Sequence, residues 1–183
     1  MKAIELFCGI GGFRRGLAPV GIKTVFANDI NENALSVYES NFGPTGVCHG
    51  DIHQIPLEEI PQHELLSAGF PCQPFSPAGK KQGVMDATNG TLFKNITEII
   101  KHRSPKYFIL ENVRRMLSMQ NGEHFHIILS ALSSLDYSIE WRLINSVHLE
   151  YLSIGKEYLL LVKDCLRELL WSPQVCDCQM RQP

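Results

Sequence analysis

The chain alternates short apolar runs with segments in which apolar residues recur at helical spacing. The runs are typical of buried strands and occupy residues 3–7, 22–27, 47–49, 65–69 and 106–110, with two further strands predicted at 137–144 and 158–162. The clearest helical stripes are Leu35, Tyr38 and Phe42; Leu92, Ile96 and Ile99; and Phe125, Ile128, Leu129, Leu132 and Leu135. This alternation predicts an α/β fold, with a mostly parallel sheet of about seven strands and helices on both faces.

A glycine-rich turn at residues 9–12 follows the first predicted strand and precedes a helical stripe. Asp29 ends the second strand, 20 residues after Gly9, an offset at which an acidic side chain can reach a ribose hydroxyl. Such turns also serve plain packing of strand against helix, but the added acid favours a nucleoside pocket. Because the third glycine of the dinucleotide pattern is missing, S-adenosylmethionine fits well, with Glu5 facing its cation.

Two more acidic residues follow predicted strands. Asp51 comes after the third strand and Glu111 after the fifth, and the carboxyl ends of parallel strands share one ligand-binding edge. Asp51 can accept a hydrogen bond from an adenine amino group while Ile52 packs on the ring. The alternative for Asp51 is a solvated aspartate in a turn.

Cys72 stands between two prolines directly after the fourth predicted strand. Pro71 and Pro74 restrict the backbone and disfavour helix, so we expect the thiol on a stiff loop. A cysteine held there acts as a nucleophile if its pKa is lowered or a good electrophile is brought to it. Taken alone, an inert cysteine is the commoner case. Residues 77–89 then predict a loop beside the thiol, because they contain few apolar residues.

Length and charge fit one soluble catalytic domain. The 183 residues are 44% hydrophobic and carry a net charge of −2, so contacts to nucleic acid must come from local basic clusters or from other polypeptide. No membrane span or signal peptide is predicted. The six cysteines lack a disulfide or zinc spacing, so we expect reduced thiols, no metal site and a cytosolic location.

A thiol, a carboxylate and a nucleoside pocket at one sheet edge suit methyl transfer to a pyrimidine. Carbon 5 of cytosine is a poor nucleophile until a thiolate adds to carbon 6. An acid near ring nitrogen 3 offsets the charge that develops during this addition. Carbon 5 then attacks the methyl group of the sulfonium.

The sequence resembles the DNA cytosine-5-methyltransferases over about residues 1–162. ELFCGIGG at 5–12 is similar to that family's cofactor motif, GFPCQPFS at 69–76 to its nucleophile motif, and ENV at 111–113 to its glutamate motif. The resemblance implies the S-adenosylmethionine-dependent methyltransferase (Rossmann-like) fold. It also implies a flipped-out cytosine in DNA as substrate and S-adenosylhomocysteine as product. The implied setting is a restriction-modification system in the cytoplasm, or the nucleus in a eukaryote.

Site residues carry over position by position from this resemblance. Cys72 is implied as the nucleophile and Glu111 as the catalytic acid. The implied substrate contacts are Pro71, Gln73, Ser76 and Asn112. The implied cofactor pocket consists of Phe7, Gly9, Gly11, Asp29, Ile30, Asp51, Ile52 and Leu92.

The chain departs from the family pattern in two respects. Asn89 stands where the family commonly has arginine, and 154–158 replaces a segment with two arginines. Residues 1–163 are expected to form the catalytic domain and 164–183 a tail without family resemblance, with the target-recognition domain absent. A separate recognition chain or partner protein is one implied solution. An inactive remnant that binds cofactor or a partner, and a cytosine-5-methyltransferase acting on transfer RNA, are the alternatives.

Overall fold

A computed structural model of the chain describes residues 1–71, 92–145 and 157–163. Its strands are β1 (Lys2–Leu6), β2 (Lys23–Asp29), β3 (Val47–His49), β4 (Leu65–Gly69), β5 (Tyr107–Val113), β6 (Ile139–Asn145) and β7 (Glu157–Lys163). Its α-helices are α1 (Gly12–Leu17), α2 (Glu32–Phe42), α3 (Leu92–Arg103) and α4 (Glu123–Ser133). These elements follow the order predicted from the apolar pattern.

All seven strands form one sheet in the order β3-β2-β1-β4-β5-β7-β6. Strands β1 to β5 pair in parallel, whereas β7 runs antiparallel to both β5 and β6. Strands β2 and β3 lie on one side of β1, whereas β4 and β5 lie on its other side. The direction in which successive strands are added therefore reverses at β1. In open α/β sheets, ligands bind at the carboxyl edge near such a reversal, and the glycine turn follows β1 at that edge.

The core lies on both faces of the sheet, which confirms the prediction of helices on both sides. Ile4 and Leu6 of β1 belong to the main apolar cluster together with Ile96 of α3. Ala3, from the opposite face of the same strand, belongs to a smaller cluster with Leu17 of α1. Successive strand residues point to opposite faces, so the near-continuous apolar runs are those of strands buried on both sides.

Helix α2 begins where the sequence predicted a cap. The Asn31 Oδ1 accepts a hydrogen bond from the Ala34 backbone N–H at 3.1 Å, which satisfies one of the free amides of the first turn. Leu35 and Tyr38 on the predicted stripe are buried. The helix ends at Gly43, whose φ of 78° is one that residues with a side chain adopt only with strain.

One strand is longer than its apolar run indicated. The prediction ended the fifth strand at Leu110, but β5 continues through Val113. The reason is β7, which pairs along that stretch, with Glu111 opposite Leu160 and Val113 opposite Tyr158. Glu111 and Asn112 are therefore held within the sheet and not in a loop beyond its edge.

Several predictions fall outside the described residues. These are the loop at 77–89, the tail at 164–183 and the nucleophile segment from Cys72 onward. In the part of the chain that the structure does describe, no helix combines the length and the apolar character needed to cross a membrane.

Candidate active site and cofactor pocket

The turn after β1 is tied to the neighbouring strand β2. The Cys8 backbone N–H donates to the Asn28 carbonyl at 3.0 Å, and the Gly11 N–H donates back to the Cys8 carbonyl at 2.8 Å. Gly9 has a φ of 52°, and a Cβ added there would meet no atom within 4 Å. Gly9 thus leaves open space above the turn, as a backbone that approaches a ligand closely would require.

Gly11 is a glycine for a different reason. Its φ is 91°, and a Cβ at this position would collide with the rings of Phe42 and Tyr38 in α2. The helix can pack against the turn only because Gly11 has no side chain. The two glycines therefore have separate roles, which their shared motif did not reveal. Direct contact of Gly11 with a cofactor stays a prediction.

Asp29, the last residue of β2, holds two backbone amides. Its Oδ2 accepts from the Gly9 N–H at 2.8 Å, and its Oδ1 accepts from the Asn31 N–H at 2.8 Å. A carboxylate offers about four lone-pair sites, so both oxygens retain acceptor capacity for a hydroxyl group. The sequence offset correctly placed Asp29 beside the glycine turn, but its hold on the turn itself was not foreseen.

Next to Asp29, Ile30 is 67% exposed. The Ile30 carbonyl lies 3.1 Å from His49 Nε2, which fixes the backbone after β2 to the end of β3. The exposed Ile30 side chain suits the apolar face of a nucleoside, and the Asp29 carboxylate beside it suits the edge that carries the hydroxyl groups. Ile52 differs, because it is 4% exposed and belongs to the main core cluster, so it supports the pocket from below.

Asp51 caps the short 3-10 helix Ile52–Gln54. Its Oδ1 accepts from the His53 backbone N–H at 3.0 Å and lies 2.7 Å from His53 Nδ1. These hydrogen bonds hold the pKa of the Asp51 carboxyl below its usual range. The contacts of Asp51 in the structure are those of an aspartate in a turn, as the alternative predicted. Its second carboxylate oxygen, Oδ2, makes no hydrogen bond with the described residues. Acceptance from an adenine amino group stays a prediction.

Phe7 and Leu92 approach the same edge from β1 and α3. Phe7 has a φ of 53°, an uncommon backbone conformation for a residue with a bulky side chain. Both side chains are partly buried against the main core cluster. Strained backbone of this kind is often found at functional sites, and here it directly precedes the open turn at Gly9.

The ends of β4 and β5 bring a carboxylate over a glycine. Gly69 pairs with Glu111 across the two strands, and a Cβ on Gly69 would lie 3.1 Å from Glu111 Oε2. The missing side chain at Gly69 therefore makes room for the carboxylate. Burial raises the pKa of Glu111 above its usual value, which favours the protonated carboxyl that a proton donor needs.

Asn112 supports the segment that leads to Cys72. Its Nδ2 donates to the backbone carbonyl of Phe70 at 2.7 Å, and its Oδ1 accepts from the Val113 N–H at 2.8 Å. Asn112 is 2% exposed, so these contacts make it a positioning residue. Direct contact with a substrate, implied by the resemblance, stays a prediction.

The nucleophile segment is described only at its start. Phe70 is buried and packs against Phe93 of α3 with the rings tilted by 35° and their centroids 5.6 Å apart, whereas Pro71 is exposed. The remaining predicted site residues of this segment, Cys72, Gln73 and Ser76, lie outside the described residues.

Glu5 does not face the open turn as expected. It is 1% exposed, and its Oε1 accepts from the Phe13 backbone N–H at 3.1 Å while its Oε2 accepts from the Tyr38 hydroxyl at 3.2 Å. The expectation that Glu5 faces a cofactor cation directly was therefore wrong, because the carboxylate is enclosed by α1 and α2.

Together these residues fit a nucleoside cofactor such as S-adenosylmethionine. The open space at Gly9, the Asp29 carboxylate and the exposed Ile30 side chain offer a backbone cradle, a hydroxyl acceptor and an apolar surface at one sheet edge. The Glu111 carboxylate is at the same edge, two strands from the turn after β1. This arrangement can hold a nucleoside beside the carboxyl ends of β4 and β5.

Comparisons with known proteins agree with this geometry. A family model described as C-5 cytosine-specific DNA methylase matches residues 1–151. The chain is 47% identical over 146 residues to Type II methyltransferase M.NgoBI of Neisseria gonorrhoeae, covering 80% of this chain and 45% of that protein. It is 40% identical over 147 residues to M.HhaI of Haemophilus parahaemolyticus, covering 80% and 44% respectively.

Solved structures share the fold. A mutant of DNMT2 from Spodoptera frugiperda superposes with a TM-score of 0.69 at 25% identity, covering 96% of this chain and 53% of that one. The Dnmt2 methyltransferase of S. pombe gives a TM-score of 0.68 at 23% identity, covering 89% and 50%. The chain thus spans about half the length of the structures it matches, and less than half of the curated relatives.

Proposed function

The chain belongs to the C-5 cytosine-specific DNA methylase family, and from this premise we propose that it methylates carbon 5 of cytosine in DNA with S-adenosylmethionine as methyl donor. The observation that carries the proposal is the pairing of Gly69 with Glu111. It sets a carboxyl of raised pKa beside β4, the strand that Phe70, Pro71 and Cys72 follow in the sequence. The Glu111 carboxyl and the Cys72 thiol are thereby proposed to act on the same cytosine ring.

Cys72 and Glu111 divide the activation of the base between them. The Cys72 thiolate forms a bond to carbon 6, and the electron pair of the 5,6 double bond moves to carbon 5 and toward ring nitrogen 3. Glu111 stabilises this charge by hydrogen bonding or proton donation at nitrogen 3. The bound cofactor supplies an electrophilic methyl group to carbon 5. Loss of the carbon 5 proton to a base and departure of the thiolate then restore the aromatic ring.

The base must leave the helix before this addition. Carbon 6 of a stacked cytosine is out of reach of a protein thiol, so the target nucleotide is extruded into the site. Asn112 contributes indirectly, because its bond to the Phe70 carbonyl fixes the backbone two residues before Cys72. Pro71, Gln73 and Ser76 are proposed to line the space that receives the base.

The cofactor is proposed to lie across the carboxyl ends of β1, β2 and β3. Asp29 accepts from ribose hydroxyls, Asp51 accepts from the adenine amino group, and Gly9 allows close approach of the backbone. Phe7, Ile30 and Leu92 provide the apolar walls, and the buried Ile52 supports the pocket from below. Gly11 keeps α2 against the turn. Support comes from the open space at Gly9 and the 67% exposure of Ile30.

Recognition of a DNA sequence is proposed to need polypeptide other than residues 1–163, which we propose as the catalytic domain. The alignment with M.NgoBI leaves more than half of that relative unmatched. The net charge of −2 also provides no general attraction to phosphates. We propose that this recognition comes from further polypeptide, either in the same protein or in a separate recognition chain, and that the protein serves in a restriction-modification system.

Transfer of a labelled methyl group tests the proposed reaction. The chain is incubated with methyl-labelled S-adenosylmethionine and either unmethylated duplex DNA or transfer RNA, and calorimetry measures cofactor binding separately. We expect cofactor binding and label on DNA cytosine that is lost in Cys72→Ser and kept in the matched variant Cys48→Ser. Label on transfer RNA alone would favour the RNA enzyme, and the absence of both heat and label would indicate a remnant without activity.

A further inference from the structure

Glu5 closes the glycine turn from inside the protein. It lies in β1 before the turn, and its Oε1 accepts from the backbone N–H of Phe13, the second residue of α1, at 3.1 Å. This bond joins the two ends of the segment that contains Gly9. The outer side of the turn is held separately, by the Asp29 carboxylate on the Gly9 N–H at 2.8 Å.

The same carboxylate ends a hydrogen-bond chain that crosses both helices. Arg14 of α1 donates from Nη1 to the Tyr38 hydroxyl at 3.4 Å, and Tyr38 donates to Glu5 Oε2 at 3.2 Å. Arg14 also donates from Nη2 to the Phe42 carbonyl at 3.2 Å, and its guanidinium lies 4.9 Å from the Phe42 ring centroid. The hydrogen bonds therefore run from Arg14 through Tyr38 to Glu5, and each residue donates to the next.

That direction depends on an ionised Glu5. A protonated carboxyl has to donate its own proton. On Oε1 this proton would meet the Phe13 N–H, which is itself a donor. On Oε2 it would face Tyr38, which would then receive donors from both Glu5 and Arg14. The tyrosine hydroxyl hydrogen would be left without an acceptor in a buried site, which is costly. Protonation of Glu5 thus loosens the contact of α2 with the turn at the point where Gly11 packs against Tyr38 and Phe42.

We infer that Glu5 is a positioning residue whose ionisation, relayed through Tyr38 and Arg14, shapes the glycine turn for cofactor binding. The inference rests on the proposed function, because it concerns the same pocket. It goes beyond that function by making the affinity of the pocket dependent on pH through a side chain that touches no cofactor.

The charged and titratable groups that face Glu5 are Arg14 from α1, Tyr38 from α2 and Cys8 from the turn. Burial raises the pKa of Glu5 to about 7, against the lowering effects of its hydrogen bonds and of Arg14. Burial also raises the pKa of Cys8 to about 12 and moves that of Tyr38 above its ordinary value. Of the three groups whose pKa is raised, Glu5, Cys8 and Tyr38, only Glu5 changes charge between pH 6 and pH 8.

Calorimetry across this pH range tests the inference, with S-adenosylmethionine and its neutral product S-adenosylhomocysteine as the two ligands. With half-ionisation near pH 7, we expect both ligands to bind about tenfold more weakly at pH 6 than at pH 8. Both Glu5→Gln and Tyr38→Phe should flatten this profile, because either change breaks the relay. The matched control Glu39→Gln, which removes an exposed carboxylate from α2, should keep it.

Three results would overturn the inference. One is a pH profile that Glu5→Gln leaves unchanged, and another is a pH effect confined to the sulfonium ligand, which would indicate direct attraction of charges. The third comes from the ligand-free chain, in which carbon-13 titration of glutamate carboxyls should show a group near pH 7 that Glu5→Gln removes and Glu111→Gln keeps. Its absence would refute the relay without any ligand, whereas failure of both ligands to bind wild type at every pH would refute the proposed function instead.

Discussion

The side-chain amide of Asn112 donates a hydrogen bond of 2.7 Å to the backbone carbonyl of Phe70. This bond connects β5, which carries Glu111, to the segment that carries Cys72. Because Asn112 is 2% exposed, the bond is shielded from water and has no solvent substitute if it is lost. The placement of the proposed acid, Glu111, relative to the segment that leads to the proposed nucleophile, Cys72, therefore depends on a residue that need not touch the substrate.

Replacement of Asn112 should slow the reaction more than it weakens cofactor binding. Asn112→Ala leaves the Phe70 carbonyl unpaired, and we expect a loss of about 1–3 kcal/mol in the free energy of unfolding. Urea unfolding measures the loss in stability, single-turnover methyl transfer measures the rate, and calorimetry measures cofactor affinity. The control Asn41→Ala removes a similar bond to the Val37 carbonyl at an exposed site of α2 and should change stability by about 0.5 kcal/mol or less. If Asn112→Ala and Asn41→Ala lowered stability and the methyl-transfer rate equally, the positioning role of Asn112 would be contradicted.

The two glycines of the turn should respond differently to alanine. Gly9→Ala meets no atom within 4 Å, so its stability cost is that of the positive φ, about 1–2 kcal/mol, and its methyl group enters the space proposed for the cofactor. Gly11→Ala collides with Tyr38 and Phe42 and should cost about 2–4 kcal/mol. Thermal unfolding and calorimetry separate the two cases.

Gly16 provides a matched control for both variants, because an added Cβ meets nothing within 4 Å and no positive φ is involved. Gly16→Ala in α1 should leave cofactor affinity unchanged and stability equal or slightly higher. If Gly9→Ala binds cofactor as tightly as Gly16→Ala does, the cofactor does not approach the turn at Gly9.

Protonation of Glu111 should make the stability of the chain depend on pH, and the variant Glu111→Gln should remove this dependence. Its pKa is raised by burial, so the folded chain keeps a proton over a range in which the unfolded chain has released it. The stability that this group contributes is complete below the unfolded pKa and is lost as the pH rises through the folded pKa. Glu111→Gln should therefore be as stable as wild type, or more so, above that range.

The same variant should lose most of its activity. Removal of a general acid typically lowers a rate by about 10²–10⁴-fold, so we expect methyl transfer by Glu111→Gln to fall by at least about 10². Rates measured against pH, together with denaturant unfolding, give both quantities. The exposed residue Glu58 provides the control, and Glu58→Gln should alter neither. A Glu111→Gln enzyme with normal rate would remove Glu111 from the mechanism.

Asp29 offers a test of the link between the turn and the start of α2. Asp29→Asn replaces one acceptor oxygen by an amide donor, which leaves either the Gly9 or the Asn31 N–H without its partner. We expect a loss of about 1–3 kcal/mol in stability and weaker cofactor binding, measured by thermal unfolding and calorimetry. Glu32→Gln, in the exposed first turn of α2, is the control and should change cofactor affinity little.

The sequence predicted the order of elements because each strand and helix depends on local periodicity. Leu65–Gly69 and Val47–His49 appear as expected, and Asn31 caps α2 as its position indicated. Gly9 and Asp29 were also brought together as predicted, because parallel strands bring their carboxyl ends to one edge.

Contacts between distant elements could not be predicted in this way. The register that places Gly69 opposite Glu111, and the pairing of β7 that extends β5, depend on strands far apart in the sequence. The burial of Glu5 depends on the packing of Tyr38 against the turn, which no local pattern reports. Sequence motifs therefore predicted the reactive groups Cys72 and Glu111, whose roles stay proposals, while the contacts of Asn112 and Glu5 became visible only in the fold.

Covalent trapping tests the central claim most directly. A duplex containing 5-fluorocytosine is incubated with the chain and S-adenosylmethionine, then denatured and analysed by mass spectrometry. Fluorine at carbon 5 blocks the final elimination, so a thiol bonded to carbon 6 stays attached. We predict an adduct that requires cofactor, maps to Cys72, disappears in Cys72→Ala and persists in Cys48→Ala. An adduct that survives in Cys72→Ala, or wild-type chain that binds cofactor and DNA yet forms none, would contradict the proposed mechanism.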